Sequence, residues 1–378
     1  MKVVRALAMA GVFLVGLGYA TKLVAVEPPA LTGTVVRSTH QLLFSPDSKL
    51  LVVHATGENS LSGLNVYDVQ TRAVIQSLAL PGGGGRTFQC LGVSFSGDGK
   101  WLAAAGHLDR SDDFYIWDTA NWERHTFALP DKEIRSIQAI ALSRDASRLA
   151  ASCGFQDDQT VFEFDREGKL IVRFALPGFC RSLRFVDDDK SLVCAVQKPI
   201  KKNSELDALC VQTWSLAGPR KTAERENLLL WEMPRLRALA RDGAGVGVHQ
   251  FVLSPDGSAI AASAWRTISA FSLASGRGGE LGVHDLNCTA LAISADNRTL
   301  VSGGHWSGGI SLWDLTSGRH KQKLMFTPQP PDMATSIDPT WERGTCFGVA
   351  LSPDGQYAAA TTANGGKDNS IFLWTIEP

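Results

Sequence analysis

The chain has 378 residues, 44% hydrophobic and 20% charged, with 37 basic and 38 acidic side chains. That apolar content excludes a disordered chain, and a net charge of −1 gives no basic field for nucleic acid, so no DNA or RNA partner is expected. Length alone suggests two or three domains, or one large all-β domain, and 36 glycines point to many turns.

Residues 1–25 read as a targeting segment. Lys2 and Arg5 precede an apolar run from Ala6 to Thr21, and Gly18 and Ala20 put small residues at the −3 and −1 positions of a cut after Ala20. The run is shorter than the ~20 residues that span a bilayer, as in an export signal peptide. Leu23 to Val26 lengthen it to about a bilayer thickness if Lys22 snorkels, so a retained membrane anchor stays open. No cysteine follows the run where a lipoprotein needs one. Residues 26–31 form a short linker, and residues 32–378 form one repeat domain.

Two landmarks recur through that domain. The first is SPDS at Ser45, SGDG at Ser96, SRDA at Ser143, VDDD at Val186, SPDG at Ser254, SADN at Ser294 and SPDG at Ser352. The second is Tyr67-Asp68, Trp117-Asp118, Phe164-Asp165, Trp214-Ser215, Phe271-Ser272, Trp313-Asp314 and Trp374-Thr375. Seven copies result, with first landmarks 51, 47, 43, 68, 40 and 58 residues apart, so insertions interrupt a unit of about 40 residues. Each first landmark sits between two apolar runs, where a tight turn needs positive φ or an Asx turn. Segments such as CTALAI (288–293) and CFGVAL (346–351) are apolar on both faces, as a strand sandwiched between two sheets must be. Radial four-stranded units bury both faces without long open edges. Only the stretch near 222–241 has an ambiguous helical period.

On these landmarks residues 32–378 resemble the WD-repeat β-propeller family, most closely at SADN…LWD from Ser294 and SPDG…LWT from Ser352. The expected fold is all-β: a seven-bladed propeller of WD-repeat type with four-stranded antiparallel blades. The Trp-Asp pair is intact only at Trp117-Asp118 and Trp313-Asp314, and His284 is the nearest match to the family's Gly-His pair. The family's hydrogen-bonded tetrad is therefore expected to be incomplete in most blades. The last copy ends after its third strand, and residues 32–38 (TGTVVRS) are β-branched, so this N-terminal strand is expected to close the last blade.

Cys90, Cys180, Cys288 and Cys346 each lie six residues before the first landmark, a slot that other copies fill with Thr39, Ile137 and Val248. A buried packing role follows, and blades ~10 Å apart are too distant to be bridged there. Cys194 and Cys210 fall on neighbouring strands in diagonal positions, which leaves a disulfide open. No CxxC or HExxH spacing supports a metal, and PGGGGR at 81–86 lacks the Lys-Ser/Thr of a phosphate loop. No cofactor and no catalytic residue are expected.

Loops between blades, and between second and third strands, share one face in this fold, and the insertions 198–208, 225–245 and 326–345 fall there. Trp231, Arg235 and Arg237 lie in the second insertion, and Trp341 and Arg343 in the third; Trp265 and Trp306 sit between second and third strands. Trp and Arg are enriched at interface hot spots, which makes these seven the candidate protein-binding residues. The competing reading has Trp231 and its neighbouring leucines completing the outer strand of blade four or capping the core. The resemblance implies a monomeric, non-catalytic scaffold that binds another protein and touches the membrane only through the N-terminal segment. An envelope enzyme or ligand-binding propeller with a site at the central channel is the alternative. Against it, the inner-strand segments are poor in carboxylates and histidines, and Arg181 and Arg184 are their only charges.

Overall fold

A computed structural model describes residues 41–56, 62–80, 89–108, 111–127, 137–155, 158–199, 207–218, 220–225, 248–264, 266–284, 287–305, 307–326, 345–363 and 371–376. Every regular element among them is a strand. Blade one consists of β1 (Leu42–Phe44), β2 (Leu50–Thr56), β3 (Ser62–Asp68) and β4 (Val74–Leu80). Blade two has β5 (Gln89–Phe95), β6 (Trp101–Leu108), β7 (Ser111–Asp118) and β8 (Arg124–Phe127). Blade three has β9 (Ile137–Leu142), β10 (Arg148–Phe155), β11 (Asp158–Asp165) and β12 (Leu170–Leu176). Blade four has β13 (Phe179–Val186), β14 (Ser191–Pro199), β15 (Asp207–Ser215) and β16 (Arg220–Arg225). Blade five has β17 (Gln250–Leu253), β18 (Ala259–Ala264), β19 (Thr267–Ser272) and β20 (Gly278–Val283). Blade six has β21 (Cys288–Ile293), β22 (Thr299–Gly304), β23 (Gly309–Asp314) and β24 (Arg319–Met325). Blade seven has β25 (Thr345–Leu351), β26 (Tyr357–Ala363) and β27 (Ile371–Thr375). Each blade is an antiparallel meander in chain order.

The ring closes on itself. Seven apolar clusters lie one at each seam between consecutive blades, including the seam where Leu42, Phe44 and Leu51 of blade one pack on Ala350, Ala359 and Leu373 of blade seven. The aromatic landmark supplies a fixed part of each blade by packing across to the second strand. Tyr67 pairs with Leu51, Trp117 with Leu102, Phe164 with Leu149 and Trp313 with Leu300. Such aromatic–aliphatic cross-strand pairs are the unit of sheet stabilisation.

The first landmark is a capped turn between first and second strands. Ser45, Ser96, Ser254, Ser294 and Ser352 each donate through Oγ to the Asp two residues on at 2.6 Å, and Ser143 does so to Asp145 at 3.2 Å. The same oxygens accept the backbone N–H five residues on, as from Leu50, Ala259 and Tyr357 at 2.8–2.9 Å. The residue three beyond the landmark is left-handed in every blade: Ser48, Gly99, Ala146, Asp189, Gly257, Asn297 and Gly355. Glycine bears this conformation at no steric cost. Blade four has Val186 in place of the serine, and there Asp187, Asp188 and Asp189 are all left-handed, with φ of 55°, 51° and 64°.

These turns carry an acid dependence. Hydrogen bonds from the Ser147 side chain and N–H, together with one from Ser143, hold the Asp145 carboxyl down at about 2. In Asp47, Asp256 and Asp296 partial burial works the other way and is outweighed by hydroxyl and amide donors, so these too are lowered. A depressed carboxyl contributes stability above its unfolded pKa and loses it as pH falls through the folded value. The urea midpoint is therefore expected to fall steadily between about pH 4 and pH 2, with a shallower slope in Asp145→Asn; equal slopes would remove this turn from the account.

The cysteine slot has a more specific geometry than packing alone. At Cys90, Cys180, Cys288 and Cys346 the first strand carries a bulge, and each thiol donates to the carbonyl two residues on at 3.5–3.6 Å. The acceptors are Gly92, Ser182, Ala290 and Gly348, small residues at the close approach to the next blade. A bulge leaves ladder groups unpaired, and a buried S–H is a small weak donor that answers one of them. All seven cysteines are buried free thiols. Cys194 pairs with Gln212 and Cys210 with Val196, the diagonal arrangement expected from the sequence.

The outer strand of blade four is β16, RKTAER, which ends before Trp231 and corrects the reading that Trp231's segment supplies it. Its polar sequence hid it, and β24 (RHKQKLM), with its first five residues exposed, reads the same way. An outermost strand has solvent on much of its surface and needs little apolar content. The ambiguous helical period near 222 likewise overlaps β16. Blade seven shows three strands among the described residues. The expected closing strand 32–38, the targeting segment 1–25 and the linker 26–31 lie outside the described residues. No helix among the described residues is long and apolar enough to cross a membrane.

Candidate functional site

The seven inner strands surround a central cavity of about 560 Å³. A hydroxyl cross-links several neighbouring blades along it. Ser94 Oγ accepts from Leu142 N at 3.1 Å and Ser182 Oγ from Leu253 N at 3.2 Å; further out, on the second strand β10, Ser152 Oγ donates to Cys180 O at 2.7 Å. Two residues before the landmark, six blades place Leu43, Ser94, Ala141, Val252, Ala292 and Ala350, and blade four places Arg184. Arg184 is partly buried, and burial disfavours its charged form. Its Nη1 donates to Leu183 O at 2.7 Å. Arg181 and Arg144 also line the cavity, as does Asp189, whose Oδ2 accepts from Arg144 N at 2.9 Å.

The cavity is surrounded by hydrogen-bond donors and apolar walls. Among the described residues no group of three or more His, Cys, Asp or Glu stands where it could hold a metal ion.

Turns tie blade to blade on one rim of the ring. Asp98 N bonds Arg144 O at 2.9 Å, Asn297 Nδ2 bonds Asp256 Oδ2 at 2.8 Å, and Asp354 N bonds Ser48 Oγ at 3.1 Å across the closing seam. The opposite rim bears the loops from blade to blade and those between second and third strands. All seven candidate binding residues, Trp231, Arg235, Arg237, Trp265, Trp306, Trp341 and Arg343, lie outside the described residues. The strands that flank them end on this rim: β16 and β17, β18 and β19, β22 and β23, β24 and β25. On the same rim the charge of His305, after burial, helps lower the pKa of His249 in the adjacent blade.

Blade six contains a buried polar triad. Ser302 Oγ accepts from Trp313 Nε1 at 2.7 Å and lies 2.8 Å from His284 Nε2, so one hydroxyl joins the loop before β21 to β22 and β23. Arg266 fastens that loop, donating through Nε to His284 O at 2.8 Å. A family model described as "WD domain, G-beta repeat" matches residues 278–314 and 340–375, spanning this triad and blade seven.

The chain is a seven-bladed β-propeller that carries WD repeats at 278–314 and 340–375.

The two matches fall on the last two copies of the repeat, as the sequence led us to expect. No curated protein matches it in sequence. Among solved structures, Kuenenia stuttgartiensis hydrazine synthase is similar, with a TM-score of 0.62, 15% identity, and coverage of 91% of this chain and 97% of that one. The β-propeller domain of Myceliophteria thermophila Cps50 (Swd1) is similar at a TM-score of 0.61 and 14% identity, covering 92% and 99%. Likenesses at these identities show a shared fold and nothing of activity.

Sequence reasoning missed two features of this ring. The thiol-capped bulge was legible as Cys-x-small at one offset in four blades. Arg184 was visible as an inner-strand charge, but its isolation depends on the neighbouring inner strands, which only the assembled ring brings around it.

Proposed function

We propose that this WD-repeat propeller is a non-catalytic scaffold that binds another protein through its loop-rich rim, exported or tethered to a membrane by its N-terminal segment. WD-repeat propellers generally bind other proteins. The observation that carries the reading is that the strands flanking all seven Trp and Arg candidates end on one rim. Large aromatic and guanidinium groups on a shared face suit a hot-spot cluster. The opposite rim is occupied by capped turns bonded to one another. Export or tethering rests on Lys2, Arg5 and the apolar run after them.

Crosslinking capture from native membranes tests this, comparing the intact chain with a Trp231→Ala/Trp306→Ala/Trp341→Ala variant that still melts cooperatively. A specific protein held by the first and lost by the second is expected. Equal capture by both would make these tryptophans packing residues and remove the proposed face.

A further inference from the structure

We propose that the central channel is a binding site for a small organic anion bearing a carboxylate or phosphate, with Arg184 as its principal ligand-binding residue. This inference stands independently of the scaffold reading.

Arg184 is the one long charged side chain at its level of the ring, surrounded by the alanine, serine, valine and leucine of the other blades. It lines the central cavity. A guanidinium offers five N–H donors in a planar fork and does not lose its charge. Among the described residues it donates to the Leu183 carbonyl, and no carboxylate pairs with it. Burying a charge is costly unless it is paired and hydrogen-bonded.

Arg148 shows how this chain treats an arginine with a structural role. It pairs with Glu163 at 2.9 Å, donates to the Asp189 carbonyl, and lies 5.5 Å from the centre of the Phe185 ring. Arg184 has none of that company.

The surroundings have the matching sign. Arg181 and Arg144 line the same cavity, and Asp189, the one carboxylate lining it among the described residues, accepts the Arg144 backbone N–H. Arg181 lies three residues from Arg184 on the same strand, about 10 Å away at ~3.3 Å per residue. A cavity of about 560 Å³ suits a small molecule rather than a bare ion. Its remaining wall at this level is largely apolar, which favours an anion with a hydrocarbon body. A planar guanidinium binds carboxylate and phosphate alike, so both head groups belong to the proposal.

The test uses the full chain with citrate and inorganic phosphate as probes, at constant ionic strength against chloride, read by calorimetry. One-to-one binding of at least one probe is expected. Arg184→Met should weaken it by about tenfold or more, as for the loss of a charge-assisted hydrogen bond. Lys321→Met, which removes the same charge from the exposed outer strand β24, should leave binding unchanged. Arg184→Lys, which keeps the charge without the fork, serves if the methionine variant does not fold and should weaken binding several-fold. Citrate without phosphate would identify a carboxylate ligand, and the reverse a phosphate. Failure of both probes to bind the native chain, or equal binding by the Arg184 variants, would overturn the proposal.

Discussion

Arg148→Met is expected to lower the unfolding free energy by about 3–5 kcal/mol, the usual loss when one partner of a buried ion pair is removed. Glu163 is 1% exposed, and its Oε1 is held by Arg148 Nη1 at 2.9 Å while Oε2 has no partner among the described residues. The same guanidinium donates to the Asp189 carbonyl, so it joins blade three to blade four. Burial holds the Glu163 carboxyl above its usual range, although Arg148 pulls the other way. A carboxyl with a raised folded pKa costs stability as pH climbs past its unfolded value near ~4.3. The loss in Arg148→Met should therefore be largest at neutral pH and shrink towards pH 4, where Glu163 is protonated. Arg148→Met/Glu163→Leu should recover most of it, since an apolar pair of similar volume avoids desolvating two charges. Urea midpoints of the single and double variants check this. A single-variant loss below about 1 kcal/mol would class the pair with solvated surface bridges.

Deleting residues 1–39 is expected to lower the melting temperature by on the order of 10 °C. That is several kcal/mol of edge pairing at the ~2–4 °C per kcal/mol typical of larger domains. β27 has the burial of a strand covered on both sides. Ile371, Phe372, Leu373 and Trp374 are all buried, and Phe326 of blade six packs on Phe372 with ring centres 5.0 Å apart. This is the character of a third strand, whereas the outermost strands β16 and β24 are rich in exposed Lys and Arg. Residues 32–38 are the stretch whose β-branched sequence suits the missing neighbour. Differential scanning of the full and shortened chains decides the matter, and coincident melts would exclude these residues from the last blade.

Much of the fold could be read because the landmarks are local. The Ser-x-Asp turn needs only six residues to close its own hydrogen bonds, so its sequence recurs in six blades without help from neighbours. The aromatic landmark likewise answers to one residue on the adjacent strand. Outer strands were harder, since β16 has no apolar alternation to betray it. Relations between blades were out of reach: nothing near Arg148 names Glu163 as its partner, and nothing near Arg184 says that its ring-mates are small. On the proposed binding rim, Trp231, Trp265, Trp306 and Trp341 stand out by residue type and loop position alone. Those signals mark attachment points well and recognition chemistry poorly.

The thiol slots give the ring a built-in set of reporters. Burial pushes Cys90 and Cys288 up to about 12, and raises Cys194 and Cys346 as well, so none of these reacts readily while covered. An alkylating reagent must wait for a seam to part, and its rate then measures how often that happens. Cys90 reports on the first seam, Cys153 on the second, the trio Cys180, Cys194 and Cys210 on the third, Cys288 on the fifth and Cys346 on the sixth. The clusters between blades four and five and between blades seven and one contain no cysteine. Mass-resolved labelling would therefore rank five of the seven seams by their opening, while the seam that closes the circle would part without leaving a chemical mark.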